Sequence, residues 1–520
     1  MTAEAVADTQ TEQADLSGLP TWAPDERALG DLELILSGAL APLAGFMSSA
    51  DIAALADQGT LADGTPWPAP VTLDVPAGAV PAGATRLILA DPEGAPIALL
   101  RITERISLNP GAAAELVRLA GPVSPLRPAE HGAFRQLRRP PASVRKELAD
   151  GPVLACATRT PLHGRQIGQL RHLAGQMKAR LLLLPLVAGP ASLVVTPESL
   201  VRAVLAARQL LPADTLVVPV PLAPRRNTDA ELRLASVVAR AYGATHLFTD
   251  LAQGTSSRGG EIELPGVVLP VVSPGDWAYD PTAEVWRPLA LIEPGAERGE
   301  LSDDELAGLL DSGEQLPAWH TPAPVARELR RARPPRHERG VVVFMTGLSG
   351  SGKSTIARDL RDQLAERGDR SVSLLDGDLV RRLLSAGLTF SRTDRDLNIA
   401  RIGFVAAEIA RHGGIAICAP IAPYAQARAR VREMVSQTGD FLLVYVSTPI
   451  DTCAARDRKG LYAKARAGLI DGLTGVSDPY EEPTDADLVI DTSVVSRQEA
   501  VGAVLDLLTS GGWLAPDSGG

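Results

Sequence analysis

Gly347-Leu348-Ser349-Gly350-Ser351-Gly352-Lys353-Ser354 decides the fold of the C-terminal third of this chain. These residues match G-x-x-x-x-G-K-[ST], with Thr355 next, and their surroundings match as well. An apolar run at 341–345 precedes them and a helical pattern, TIARDLRDQLAER, follows. A strand that turns through glycines into a helix points backbone N–H groups at a site where phosphate oxygens can sit. The loop, residues 347–355, therefore predicts binding of ATP or GTP. Lys353 would reach the β- and γ-phosphates and Ser354 would hold Mg²⁺. The guanine signature Asn-Lys-x-Asp does not occur, which favours ATP.

The next strand-like run, SVSLL, leads straight into Asp376-Gly377-Asp378-Leu379-Val380-Arg381. Carboxylates two residues apart at the carboxyl end of such a strand lie beside a phosphate loop. One can support the metal shell, and the other can take the proton of an attacking hydroxyl. Arg381, one helical turn on, can clamp an anionic acceptor. Further strand candidates, IAICA, FLLVYV and ADLVI, make residues 341–520 an α/β block with a parallel sheet.

These residues resemble the adenylylsulfate (APS) kinase family, which phosphorylates the ribose 3′-hydroxyl of adenosine 5′-phosphosulfate. The resemblance runs through GLSGSGKST, LLDGDLVR, GLTFSRTDRDLNIARIGFVA, APIAPY, KGLYAKARAG, LTG and DPYE in the family's order. It implies Asp378 as base or orienter for the hydroxyl, with Asp376 in support and Lys353 on the phosphates. Arg381, Arg395 and Asn398 would hold the acceptor's phosphosulfate and ribose. Phe390 would stack on its adenine, and the main chain near Ile421 would line the same pocket. Lys459 would open a lid over 460–475, with Lys464 and Arg466 facing phosphates and Gly472 and Leu473 against the acceptor. Two positions depart from the family. Leu473 stands where an aromatic usually covers the adenine, which loses about 0.5–1.5 kcal/mol of ring stacking. Ala422 stands where some members carry a phosphorylatable serine.

The front of the chain resembles ATP sulfurylase, at residues 31–47 (DLELILSGALAPLAGFM), 157–166 (ATRTPLHGRQ), 242–248 (YGATHLF) and 312–325 (SGEQLPAWHTPAPV). Its catalytic signatures are altered. Gln-x-Arg-Asn reads Ala157-Thr158-Arg159-Thr160, and His-x-x-His reads His163-Gly164-Arg165-Gln166. The loop after Phe248 reads Thr249-Asp250-Leu251-Ala252-Gln253-Gly254, without the family's Arg and His. Arg159 and His163 persist, and Arg225 and Arg226 lie near the same strand ends. A single lost donor to developing charge costs about 10²–10³ in rate, so this region reads as a degenerate scaffold.

Composition sets the frame. The 520 residues are 45% hydrophobic and 22% charged with a net charge of −11, a globular and acidic profile that excludes a general nucleic-acid binder. Three widely spaced cysteines exclude a disulfide framework and fit the cytoplasm. No apolar run approaches a membrane span, and the acidic N-terminus is not a signal peptide. Residues 1–16 are expected to be a disordered leader and 17–150 a small β-rich domain. Residues 151–326 alternate apolar runs with helical stretches, as in a nucleotidyltransferase-like α/β domain. Residues 327–340, which contain six arginines, form a basic linker, and 341–520 form the P-loop kinase domain. The expected partners are ATP and adenylyl sulfate, with Mg²⁺ as cofactor, within a homo-oligomer and without nucleic acid or membrane. Alternatives are a bifunctional sulfurylase/kinase, a kinase of another nucleoside-like acceptor, and a nucleotide-sensing subunit.

Overall fold

The computed structural model describes residues 16–514, except 111–114, 129–131, 149, 190–194, 226–227, 251–258, 263, 265, 390 and 471, and except the side chains of Thr228 and Asp378. Two compact units result. One comprises residues up to 306 together with 316–332, and the other comprises 307–315 and 333 onward. Among the described residues no helix is long and apolar enough to cross a membrane.

The first unit opens with a seven-stranded sheet, largely antiparallel, around the long strand Leu116–Pro125. Two helices, Glu26–Leu36 and Ser49–Gln58, accompany it. Next comes a six-stranded sheet whose spatial order is Leu216–Val217, Arg180–Pro185, Val153–Thr158, His246–Phe248, Val271–Ser273, Gly260–Ile262. All neighbours are parallel except the last pair, which is the doubly wound arrangement expected from the alternating pattern. The order reverses between Val153–Thr158 and His246–Phe248, so the altered motifs at 157–166 and 249–250 sit at the crevice such sheets use for ligands. One apolar cluster runs from Leu32, Leu40 and Leu89 to Val153, Leu182 and Leu247. Beside it lies a buried ion pair. Arg225, whose side chain is 5% exposed, meets the wholly buried Asp31, with Nη1 3.2 Å from Oδ2. Burial pushes the Asp31 carboxyl pKa up, and Arg225 offsets part of that rise.

In the second unit five parallel strands are numbered here in chain order: β1 (Val341–Thr346), β2 (Val372–Asp376), β3 (Ile415–Ala419), β4 (Asp440–Val446) and β5 (Leu488–Ile490). The order is β2-β3-β1-β4-β5, all parallel, as the P-loop reading expected. The helices are α1 (Lys353–Arg367), α2 (Gly377–Leu383), α3 (Arg392–Arg411), α4 (Ala425–Ser436), α5 (Ile450–Arg456), α6 (Leu461–Arg466) and α7 (Arg497–Ser510). Every residue of β1 is buried, because the strand is paired on both edges and covered on both faces. The six arginines of 327–339 divide between two structures. Arg327, Arg330 and Arg331 lie on the helix Ala323–Ala332. Arg333, Arg336 and Arg339 converge on Asp311 at 2.6, 3.3 and 3.1 Å. Although burial raises the Asp311 pKa, hydrogen bonds and charge from Arg333 and Arg339 hold it below the usual carboxylate range.

Removing one partner of a buried ion pair strands the other charge, at a cost of about 3–5 kcal/mol. Arg225→Leu is expected to destabilise the first unit by that amount. Urea unfolding followed by tryptophan fluorescence reads the effect, since Trp22, Trp67, Trp277, Trp286 and Trp319 all lie in this unit. A change below about 1 kcal/mol would show that Asp31 takes a proton or finds another donor.

Candidate functional site

β1 ends at Thr346, whose hydroxyl donates to the Ile421 carbonyl at 2.7 Å and pairs with the Tyr480 hydroxyl at 2.9 Å. The phosphate loop leaves the sheet there. Gly347 has φ +146°, and a Cβ at that position would stand 2.4 Å from the Val446 carbonyl oxygen. Any other residue would push β1 and β4 apart. Gly352 has φ +106° and caps α1, a conformation that L side chains rarely adopt. The loop's amides thus run into a helix N-terminus, a place suited to anions. Ser354 and Thr355 occupy the first turn of α1.

Lys353 is buried, and its Nζ donates to the carbonyls of Gly347 at 2.8 Å and Leu348 at 2.7 Å, with Ser351 Oγ at 3.3 Å. Burial drives its pKa down from 10.5 to about 7. A neutral amine retains two N–H donors, which match the two carbonyls.

Register sets the carboxylates against this loop. Leu375 pairs with Cys418, which pairs with Phe344, so Asp376 leaves the sheet at the level where β1 ends. Asp376 is 8% exposed and accepts from Arg358 of α1 at 3.0 Å. Asp378 is the second residue of α2, and its side chain lies outside the described residues. Arg381 follows on the same helix.

The residues that the family resemblance assigns to the acceptor come from α3 and two loops. Asn398 is 6% exposed, and its Oδ1 is a buried acceptor without a partner among the described residues. Arg395 pairs with Asp478, donates to the Gly472 carbonyl and reaches Thr474 Oγ1 at 3.1 Å. Tyr424 donates to the same Asp478 at 2.9 Å, and Arg392 lies over the Tyr424 ring at 4.4 Å. Ala422 holds φ +45°, a strained value for alanine. Its carbonyl is clamped by Arg428 at 2.8 Å and Thr346 at 3.2 Å. Leu473 is buried in a small cluster with Cys453 and Tyr462, against Leu348, Ile450 and Leu461. Lys459 is exposed, and Phe390 lies outside the described residues. Tyr424, Asp478 and Tyr480 lie within the stretches APIAPY and DPYE, whose residue order carries no sign of these contacts. Their contacts span 54 to 134 positions, which no local pattern reveals.

In the first unit the arginines of the altered crevice are already partnered among the described residues, and Arg226 lies outside them. Arg159 pairs with Glu231 and donates to the carbonyls of Ala188 at 2.8 Å and Leu222 at 2.7 Å. Arg165 sits between Asp250 and Glu300, the latter at 2.6 Å. Arg225 is spent on Asp31. His163 stands 3.0 Å from Thr321 Oγ1 and 4.6 Å, ring to ring, from His320. Burial, with the nearby His320, pushes the His163 pKa down to about 4.

Comparison with known proteins follows this division. A family profile for adenylylsulphate kinase matches residues 339–491, and one for a PUA-like domain matches residues 2–118. A sulfate adenylyltransferase of Mycosarcoma maydis is 35% identical over 538 residues, covering 94% of each chain. One of Phaeosphaeria nodorum is 35% identical over 546 residues, covering 96% of this chain and 95% of its own. Among solved structures, a hexameric APS kinase from Thiobacillus denitrificans matches with a TM-score of 0.78 at 33% identity, covering 98% of this chain and 97% of its own.

A depressed Lys353 pKa has two measurable consequences. Between about pH 7 and 10.5 the unfolded chain holds a proton that the folded chain has released, so the stability of the unliganded second unit rises with pH across that window. Triphosphate charge beside the amine restores the ammonium. Mg·ATP binding at about pH 8 is therefore expected to take up close to one proton, and at about pH 6 almost none. Calorimetry in buffers of different ionisation enthalpy reads this directly. Zero uptake at about pH 8 would mean that free Lys353 is already charged.

Proposed function

The chain belongs to the sulfate adenylyltransferase family and carries an adenylylsulphate kinase domain, and from this premise we propose that its chemistry is phosphorylation of adenosine 5′-phosphosulfate by ATP. The 3′-hydroxyl oxygen bonds to the γ-phosphorus as the bond to the β-phosphate oxygen breaks, and ADP leaves. Asp378 takes the hydroxyl proton, and Asp376, held by Arg358, supports it. The observation that carries the reading is the convergence at one sheet edge of the glycine loop, the Asp376 strand end and the α3 residues Arg395 and Asn398. Phosphoryl transfer is mostly positioning and charge neutralisation, which such an edge supplies.

Gly347, Leu348, Ser349, Gly350, Ser351, Gly352, Lys353, Ser354 and Thr355 surround the ATP phosphates in this reading. Arg381, Arg395, Asn398, Phe390, Ile421, Lys459, Gly472 and Leu473 receive the acceptor. The unpartnered Asn398 Oδ1 supports this, since a buried acceptor left open is costly unless a ligand donor completes it. Ser354 and Asp376 are hard oxygen donors that suit Mg²⁺, which, when bound, neutralises charge across the β- and γ-phosphates. The domain limits proposed are 17–150, 151–326 and 341–520 with 327–340 between them, although by compactness residues 307–315 and 333–340 go with the second unit and 327–332 with the first. The three cysteines are free and buried, which supports a reducing, cytoplasmic setting.

The names of the full-length relatives favour a second reading, in which the first unit makes adenylyl sulfate from ATP and sulfate. The committed Arg159 and Arg165 and the neutral His163 speak against it. Purified full-length protein with Mg·ATP and adenylyl sulfate is expected to give 3′-phosphoadenylyl sulfate and ADP. A parallel incubation with Mg·ATP, sulfate and pyrophosphatase is expected to give nothing. Product in both would establish the bifunctional reading, and silence in the first would sink the acceptor assignment.

The chain is further proposed to act as a homo-oligomer, as its hexameric structural relative does. Leu383 is 67% exposed and Phe404 63% exposed, and Arg401, one turn before Phe404, donates to the Leu384 carbonyl at 2.8 Å. With Leu379 at 41%, Leu384 at 45% and Leu397 at 42% also exposed on and between the same two helices, α2 and α3, these residues are the candidate contact surface. Phe404→Glu is expected to lower the mass measured by analytical ultracentrifugation. An unchanged mass would place the contact elsewhere.

A further inference from the structure

A loop whose amides face a bound phosphate must turn its carbonyls away, and each carbonyl so turned needs a donor behind it. The donors behind this loop can be named one by one. Lys353 Nζ serves Gly347 and Leu348. Thr448 and Thr492 hydroxyls serve Ser351 at 3.1 and 2.8 Å. Arg456 stands 3.5 Å from the Gly350 oxygen, and helix amides of Thr355 and Ile356 serve Gly352. Ser349 is served by the hydroxyl of Tyr462, which donates at 2.8 Å from 113 positions away.

Tyr462 differs from the other donors in where it comes from. It lies on α6, inside the 460–475 stretch that the family resemblance reads as a lid, and it is 2% exposed. Its ring packs with Cys453 and Leu473, against Leu348 of the loop itself. Its own helix is pinned in turn, since Asp457 accepts from the amides of Tyr462 at 3.1 Å and Ala463 at 2.9 Å. Lys353 must leave its carbonyls if it is to meet phosphate, whereas the Tyr462 bond can persist through binding.

We propose that Tyr462 is a positioning residue for the nucleotide: its hydroxyl holds the Ser349 carbonyl out of the phosphate loop and fastens the loop to α6. The loop then keeps its anion-binding shape without a ligand, and the helix carrying Lys464 and Arg466 is delivered in register with the phosphates. This rests on the reading of residues 347–355 as the ATP site.

The test uses the full-length protein and Tyr462→Phe, which keeps the ring in its apolar cluster and removes only the donor. Calorimetric titration with Mg·ATP, without acceptor, is expected to show affinity reduced about tenfold, because an outward carbonyl is left without a partner. In turnover, KM for ATP should rise in step while KM for adenylyl sulfate stays within about twofold of wild type. A purely structural role would lower the unfolding temperature or the titrated stoichiometry and leave the affinity at the wild-type value, and that result overturns the proposal. A second measurement needs no variant. In the wild-type protein, Mg·ATP is expected to slow amide hydrogen exchange over 461–466 as well as over 348–353, and protection confined to the loop would also overturn it. A wild-type chain that binds Mg·ATP yet leaves adenylyl sulfate untouched would sink the acceptor assignment alone, since the role of Tyr462 is read from ATP affinity.

Discussion

All five strands of the second unit run parallel, so every chain segment leaving a carboxyl end emerges at the same edge of the sheet. The glycine loop after β1, Asp376 at the end of β2, Ile421 after β3 and Thr448 after β4 become neighbours for that reason alone. The constraint works because β1 is central. Its main chain is hydrogen-bonded on both edges, and its side chains are buried against helices on both faces. Close approach follows from this pairing. Gly347 lies so near the Val446 carbonyl that no side chain fits between them. The glycine pattern of the loop is thus a packing requirement of the sheet as much as a requirement of the phosphate.

Contiguous features were legible in the sequence, and contacts between distant segments were not. The phosphate loop is written in consecutive residues, and β1 to β5 announce themselves as short apolar runs bounded by turns. The doubly wound class of the first unit's α/β sheet followed from the alternation of strands and helices, whereas the place where its order reverses, beside Val153–Thr158, is given only by the fold. By contrast, the Arg395–Asp478 pair joins positions 83 apart, and the Tyr462–Ser349 bond joins positions 113 apart. Leu473 illustrates the limit from another side. Its place in the motif suggests only an adenine contact, whereas its burial with Cys453 and Tyr462 shows that it also supports the segment around α6. The clasp on Asp311 was hidden for a similar reason. Arginines at 333, 336 and 339 read as solvated charge until the acidic partner from 307–315 is known.

The two α/β sheets satisfy the cations at their ligand-facing edges in different ways. A guanidinium or ammonium at a sheet edge must be satisfied by something. Lys353 is satisfied by carbonyl dipoles of its own loop and lowers its charge as well. Both adjustments reverse easily. An incoming polyphosphate offers full negative charge in place of dipoles, and the amine takes back its proton. In the crevice of the first unit, Arg159 and Arg165 are satisfied by Glu231, Asp250 and Glu300. Those partners carry full charge themselves, so an anion entering there must displace like charge and leave carboxylates unpaired.

Arg395 lies between these cases, and its position is informative. Its acceptors, Asp478, the Gly472 carbonyl and Thr474, all belong to the segment that follows α6. In the proposed function, an acceptor anion that claims Arg395 would take it from these three partners, which all lie in one short stretch of chain. Tyr424 remains to share Asp478 when Arg395 leaves, so the carboxylate is not stranded. The exchange of partners costs less there than in the first unit's crevice, where Arg165 is shared by two carboxylates at once. The contrast between the two sheet edges thus lies in the partners that surround each cation, carbonyl dipoles at Lys353 and carboxylates at Arg159 and Arg165, more than in the number of cations present.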